Sequence, residues 1–243
     1  MLNQQAIDSF ANNGFLLSTP ETSVAADLPA IATFREMLAS PGLAQHDPAV
    51  DRHLDDPMTL AICTLPQIVE AVAALLGPDL LLWHSRYFDK SEQAPPIPWH
   101  QDAPFWAMHP KDCVSAWLAL EDAHEGNGCV YAVPGSNRTP LPQILSTGTG
   151  RFRKKADITG IDVSAAIPLT RKRGEFYLFH AWLLHRSAGN PQCNSRLAIA
   201  MQFIAPHVQL DLTRPHQRIP GFGVLPVRGE DRLRLNPHAK APG

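Results

Sequence analysis

In the run Pro98-Trp99-His100-Gln101-Asp102-Ala103-Pro104-Phe105, an imidazole and a carboxylate stand two residues apart between apolar and aromatic flanks. On an extended strand, residues i and i+2 point the same way. That spacing would offer a metal two ligands from one face. One more histidine from elsewhere would complete the facial triad of two histidines and one carboxylate that holds non-haem Fe(II) and leaves coordination positions open. The rest of the chain must then supply that histidine and an anchor for a co-substrate.

A second His-x-Asp occurs at His53 and Asp55, in a chain of 11 histidines. It lies within Asp51-Arg52-His53-Leu54-Asp55-Asp56, where charged neighbours and the lack of strand alternation predict a solvated loop. It is set aside as a ligand source. The candidates for the third ligand are His180 and His185, both in the run from Glu175 to His185. Five positions apart on one strand, they would face opposite ways. The turn signal Gly189-Asn190-Pro191-Gln192 follows, and apolar alternation resumes at Leu197, Ile199 and Met201. A hairpin symmetric about Asn190 and Pro191 pairs His185 with Arg196, Ser187 with Asn194, and His180 with Met201. That register favours His185. It also sets Ser187 and Arg196 beside the imidazole as a hydroxyl and a bidentate fork for a carboxylate.

The elements that must position these residues are short. The chain has 243 residues, 44% of them hydrophobic and 18% charged, with 23 prolines and 15 glycines. This composition predicts one domain over 1–243 made of short elements and turns. Helical spacing covers residues 3 to 12, with Asn12-Asn13-Gly14 as its stop, followed by the strand-like Phe15-Leu16-Leu17. A weaker helical pattern spans Thr22 to about Ser40, Pro41 to Pro57 reads as a polar loop, and Leu65 to Leu76 reads as an amphipathic helix ended by Gly77-Pro78. β-type runs follow at 80–88, 98–102, 114–120, 128–133, 175–185 and 195–204, the pattern of a sandwich or barrel with a helical flank. The flank covers about 1–78, the core about 79–205, and 206–243 is expected to wrap the surface. Between Gly135 and about Thr170 lies a turn-rich insertion with a basic knot at Arg151, Arg153, Lys154 and Lys155.

A net charge of −2 provides no basic field for nucleic acid. The four cysteines form no CxxC pair, which points to reduced thiols rather than a zinc knuckle or a redox dithiol. Neither a leader pattern nor a run of about 18 apolar residues is found, so a cytoplasmic protein without a membrane span is expected. The sequence leaves monomer and homodimer both open.

Four motifs occur in order: Trp99-His100-Gln101-Asp102, Ser115 to Asp122, Asn127 to Ser136, and Gly174 to Ser187 with Arg196. Together they resemble the phytanoyl-CoA dioxygenase family of Fe(II)/2-oxoglutarate-dependent oxygenases, from about Phe10 to Arg232. The resemblance implies a mainly β, cupin-like double-stranded β-helix, or jelly roll, with N-terminal helices. It implies iron on His100, Asp102 and His185, with the far carboxylate of 2-oxoglutarate on Arg196 and Ser187 and Trp117 nearby. His84, beside the co-substrate, and Arg86, towards the substrate, share strand parity before the metal motif. Phe105, Trp106 and Met108, which follow it, are further substrate-facing candidates. The chain departs from the family at Asn137, where Gly-Ser-His is usual, and is short before the metal motif.

The activity so implied is hydroxylation of an unactivated C–H of a small organic metabolite, using O2 and releasing succinate and CO2. Desaturation, cyclisation or demethylation by the same cofactors remains an alternative, and so does a non-catalytic jelly-roll protein that binds a metal or metabolite. A zinc hydrolase would leave Arg196 and Ser187 unexplained. Asp102 fills the position that related halogenases keep small, which disfavours halogenation.

Overall fold

A computed structural model of the chain describes residues 2–44, 47–146, 153–191, 195–213 and 219–243. The N-terminal part holds α1 (Gln4–Asn13), β1 (Phe15–Leu17), α2 (Ile31–Ala39), α3 (Pro57–Cys63) and α4 (Pro66–Leu76). Next come β2 (Leu80–Lys90), β3 (Ile97–His100), β4 (Met108–His109), β5 (Cys113–Ala119), β6 (Val130–Ala132), β7 (Gln143–Leu145), β8 (Lys154–Ala156) and β9 (Ile167–Leu169). The chain continues through β10 (Phe176–His180), β11 (His185–Ser187), β12 (Arg196–Ile204), β13 (Gln209–Leu210) and β14 (Leu225–Arg228).

Local chemistry sets the helix ends. Asn3 caps α1 by accepting the Ala6 N–H, and Asp56 caps α3 by accepting the Thr59 N–H at 2.7 Å. Proline opens both α3 and α4, where its missing N–H costs no hydrogen bond. No single helix among the described residues is long and apolar enough to cross a membrane.

Two antiparallel sheets form the jelly roll. The larger runs β1-β10-β5-β12-β2-β14 and the smaller β3-β11-β6-β9. Strand alternation divides the larger sheet cleanly. Leu118, Leu178, Leu197, Ile199, Met201 and Phe203 pack outward with Phe34, Ile62, Ile68 and Val72 of the helical flank. Trp117, Ala119, Tyr177, Phe179, Ala198 and Ala200 pack inward with Ala132 and Leu169 of the smaller sheet.

The expected hairpin does not form. The run 175–185 is two strands separated by a turn, with β10 in the larger sheet and β11 in the smaller. His185 is opposed by His100 and Ala132, and Arg196 by Lys90. His180 pairs with Val114, not Met201. Ser187 pairs with Ile97 and Val130; Asn194 lies outside the described residues. In a jelly roll successive strands cross from one sheet to the other, so a register counted through a local turn fails. His180 and His185 therefore differ by sheet, not by parity on one strand.

Two other segments depart from expectation. The loop before α3 is not solvated: Ala49 to Asp51 lie along β2, with Tyr87 N–H donating to Ala49 O and Asp51 N–H to Ser85 O, both at 2.8 Å. Asp51, Arg52 and His53 are buried there. The C-terminal tail adds β14 to the larger sheet beside β2 and buries Val224. Of the basic knot, Arg153 and Lys154 are exposed near the β7–β8 pair, and Arg151 lies outside the described residues.

Candidate metal centre

β3 ends on His100 and β11 begins on His185, directly opposite, with ring centroids 4.1 Å apart. Asp102 does not continue the strand. Its backbone is helical (φ −73°, ψ −38°) and opens the short turn Ala103–Phe105, tied down by Ala103 N–H donating to Ala181 O at 2.9 Å. Asp102 Oδ1 consequently lies 3.5 Å from His100 Nε2 and 3.9 Å from His185 Nε2. One ligand atom from each residue falls within 4.8 Å of the others, and this is the one such group among the described residues.

The ring orientations are set by carbonyls. His100 Nδ1 lies 2.8 Å from Pro98 O and His185 Nδ1 lies 2.9 Å from Leu183 O. A carbonyl only accepts, so each Nδ1 carries the hydrogen and each Nε2 presents its lone pair to the Asp102 side. Burial, with His100 alongside, pushes His185 down to about 4. Burial opposes the charge on Asp102, but His185 and His100 outweigh it and hold the carboxyl below the usual range. Two imidazole nitrogens and a carboxylate oxygen converge here, a donor set that fits ferrous iron.

Gln101 points away from its two neighbours. Its buried amide donates to Trp182 O (2.7 Å) and Thr139 O (2.9 Å) and accepts from Leu141 N–H (2.8 Å). Ser136 Oγ accepts the Leu184 N–H at 2.9 Å. The segment that follows His100 and the segment that leads into His185 are thereby clamped together. Asn137, the departure from the family pattern, packs against Gly14, where a Cβ would come within 2.8 Å of its side chain.

Beside the triad is a buried basic pocket. Arg196 is 2% exposed, its Nη2 donates to Gly128 O at 2.5 Å, and its Nε has no hydrogen-bond partner among the described residues. Its guanidinium lies 5.1 Å from the Trp117 ring centroid, and Trp117 stacks on Tyr177 at 5.0 Å. Trp117 thus serves as a platform for Arg196 within the core. Lys90, opposite Arg196 on β2, donates to Ser187 Oγ at 2.9 Å. Sequence reasoning missed Lys90, although its parity with Arg86 and Phe88 on β2 places it on the inner face. With its Nε unpartnered and Ser187 and Lys90 beside it, this buried guanidinium has a donor left for a carboxylate.

The remaining candidates divide. His84 Nδ1 lies 2.6 Å from Asp51 Oδ1, and Arg86 Nη2 donates to Asp47 Oδ2 at 2.8 Å. One loop therefore supplies a carboxylate to each. Trp106 packs edge-on against Trp83 at 5.7 Å, and Met108 is buried in the same cluster, so both belong to the wall. Phe105 is 38% exposed with its ring 6.3 Å from that of His100. His53 is buried, not solvated; it hydrogen-bonds Ser85 Oγ at 2.8 Å and belongs to no convergent group of ligands among the described residues.

Residues 4–198 match the family described as phytanoyl-CoA dioxygenase (PhyH). The bovine peroxisomal phytanoyl-CoA dioxygenase is 28% identical over 165 residues, covering 61% of this chain and 47% of that protein. The chain thus spans about half the length of the curated relatives it matches. Among solved structures, the apo form of ThoJ, a non-heme monooxygenase, aligns with a TM-score of 0.77 at 27% identity, covering 98% of this chain and 88% of the other. The epimerase SnoN, in complex with Fe3+, alpha-ketoglutarate and nogalamycin RO, shares the fold at a TM-score of 0.72 and 20% identity, covering 98% and 94%. With the family match extending from α1 into β12, the chain belongs to the phytanoyl-CoA dioxygenase family.

Proposed function

We propose that the chain is an Fe(II)- and 2-oxoglutarate-dependent oxygenase that hydroxylates an unactivated C–H of a small organic metabolite. The observation that carries this reading is the pairing of the convergent His100, Asp102 and His185 with a buried Arg196 whose Nε lacks a protein partner. His100 and His185 would hold the metal through Nε2 and Asp102 through a carboxylate oxygen. Arg196 and Ser187 would grip the far carboxylate of the co-substrate. When bound, the metal and 2-oxoglutarate supply the oxidising chemistry with O2, and succinate and CO2 are the co-products.

The protein's own contribution is placement. The clamp around Gln101 fixes the ligand-bearing segments, and the apolar inner face with Phe179 and Trp117 keeps water from the site. His84 is proposed to lie beside the co-substrate and Phe105 and Arg86 towards the substrate, with Arg86 oriented by Asp47. A zinc hydrolase reading leaves the buried Arg196 unexplained, and a non-catalytic binding protein would have no use for the full set. SnoN, an epimerase on this fold, supports a second reading in which the same cofactors lead to an outcome other than hydroxylation.

Two measurements test the proposal. Addition of 2-oxoglutarate to the Fe(II)-loaded protein without oxygen is expected to give a metal-to-ligand charge-transfer absorption. A screen of metabolites with oxygen, read by succinate release and product mass, is expected to find a substrate gaining one oxygen. No charge-transfer band would overturn the co-substrate assignment, and a product isomeric with its substrate would favour the second reading.

A further inference from the structure

The two strands that carry the histidine ligands do not match residue for residue. His185 faces His100 and Ser187 faces Ile97, so β3 holds one residue more than β11 between these pairs, a bulge at Pro98 and Trp99 opposite Arg186. Proline suits the bulge because it has no N–H to give to the ladder. The bulge also sets a ligand, since Pro98 O holds His100 Nδ1 at 2.8 Å. A shift of Pro98 therefore turns the His100 ring.

Outside the bulge, on the face away from the triad, the Arg186 guanidinium carbon lies 5.3 Å from the Trp99 ring centroid and 4.9 Å from that of Tyr131. Arg186 pairs with Tyr131 across β11 and β6, while alternation turns its neighbour His185 inward. The Arg186 Nε is buried and has no hydrogen-bond partner among the described residues, so what meets this end of the cation is the two ring faces. Both rings are anchored in turn: Trp99 packs on Val133, Ala156 and Leu184, and the Tyr131 hydroxyl donates to Glu125 Oε2 at 2.8 Å. One half-buried cation thus ties β3, β11 and β6 together behind both imidazoles.

We infer that Arg186 is a positioning residue for the metal: stacked between Trp99 and Tyr131, it holds the bulge in β3 and keeps the His100 and His185 rings convergent. The inference rests on the metal reading above, and Arg186 acts through the strands, not by contact with a ligand atom. β11 has three residues, of which His185 and Ser187 face inward, so Arg186 is the side chain by which this strand is held from outside. Without it the backbone ladder remains, but the bulged residues are free to swing and the His100 ring turns with them.

The test is anaerobic Fe(II) titration together with the visible absorption of the Co(II)-loaded protein, whose d–d bands report ligand geometry without turnover. Arg186→Met, which keeps an apolar stem and removes the cation, is expected to bind Fe(II) about tenfold more weakly and to shift the Co(II) bands. Arg186→Lys restores a cation over the rings and is expected to recover most of the affinity. Trp99→Leu should reproduce the loss, and combining it with Arg186→Met should add little, since both break one ladder. Ile199→Val lowers stability from the outer cluster of the larger sheet without reaching the ladder, so it should bind both metals like wild type. Fe(II) affinity of Arg186→Met within about twofold of wild type, unchanged Co(II) bands, or an equal loss in Ile199→Val would each overturn the role of Arg186. Should His185→Ala bind metal as wild type does, the metal reading itself falls, and this inference with it.

Discussion

His100 and His185 are cross-strand partners on β3 and β11, so one pair of backbone strands sets the separation of both imidazoles. Asp102 is added by a turn, not by the strand, and its two neighbours hold it charged. Asp102→Ala is therefore expected to leave the imidazole pair in place while removing the anionic ligand. Hydroxylation should be abolished, with Fe(II) retained weakly or not at all. Metal content after dialysis and succinate release check this; wild-type turnover in the variant would refute the metal assignment.

Arg196→Met keeps the contact with Trp117 but removes the fork. The expected loss is about 1.5–3 kcal/mol of 2-oxoglutarate binding, or roughly ten- to hundredfold. Fe(II) content should not change, since none of the three metal ligands touches the guanidinium. Equilibrium dialysis for iron and anaerobic absorption titration for 2-oxoglutarate separate the two effects.

The composition of the site was largely legible in the sequence because its groups sit in short motifs. His100 and Asp102 share one, and His185 and Ser187 share another with Arg196 close behind. Their spatial relations were not legible. Counting through the turn at Asn190 placed His185 against Arg196, whereas the chain crosses between sheets there and sets each against a different strand. Period-two reasoning treated Asp102 as a strand residue, although it lies in a helical turn. The loop from Asp47 to Asp56 misled by composition: it is rich in charge, yet its carboxylates are drawn inward by His84, Arg86 and Arg52. Lys90 was invisible because a lone lysine at a strand end looks solvated until its partner across β12 is known.

Gln101→Leu keeps the volume between the two ligands and removes the clamp. The carbonyls of Trp182 and Thr139 and the N–H of Leu141 then lose their buried partner. A loss of about 2–3 kcal/mol in unfolding free energy is expected, with weaker metal binding because Trp182 leads into His185. Urea unfolding of the metal-free protein, followed by metal titration, distinguishes this from a surface change, which would cost nothing measurable.

Acid should destabilise the protein through His53. Burial depresses this imidazole to about 4 against an ordinary value near 6.5, with Asp51 opposing the shift and His84 adding to it. Between those values the unfolded chain binds a proton that the folded state refuses, so stability is full above about pH 6.5 and falls as pH drops towards 4. The slope from this residue approaches about 1.4 kcal/mol per pH unit. His53→Gln is expected to lower stability at pH 7 but to flatten the decline between pH 6.5 and 5. Urea midpoints at a series of pH values measure it.

Gly128 is the residue on which the two cations of the pocket meet, and its requirement is twofold. Its φ of +82° suits glycine, and a Cβ would meet Lys90 Cδ at 2.8 Å and the backbone oxygen of Ala188 at 2.9 Å. The lysine can move, but the backbone oxygen belongs to the turn that follows Ser187. Gly128→Ala should therefore cost about 1–3 kcal/mol of stability and also displace the carbonyl that holds Arg196. Gly221 supplies the control: its φ is +78° but nothing lies within 4 Å of a Cβ there. Gly221→Ala should show only the backbone penalty. Both variants should bind Fe(II) like wild type, and Gly128→Ala alone should lose affinity for 2-oxoglutarate. Equal affinities in the two variants would mean that the Gly128 carbonyl does not position Arg196.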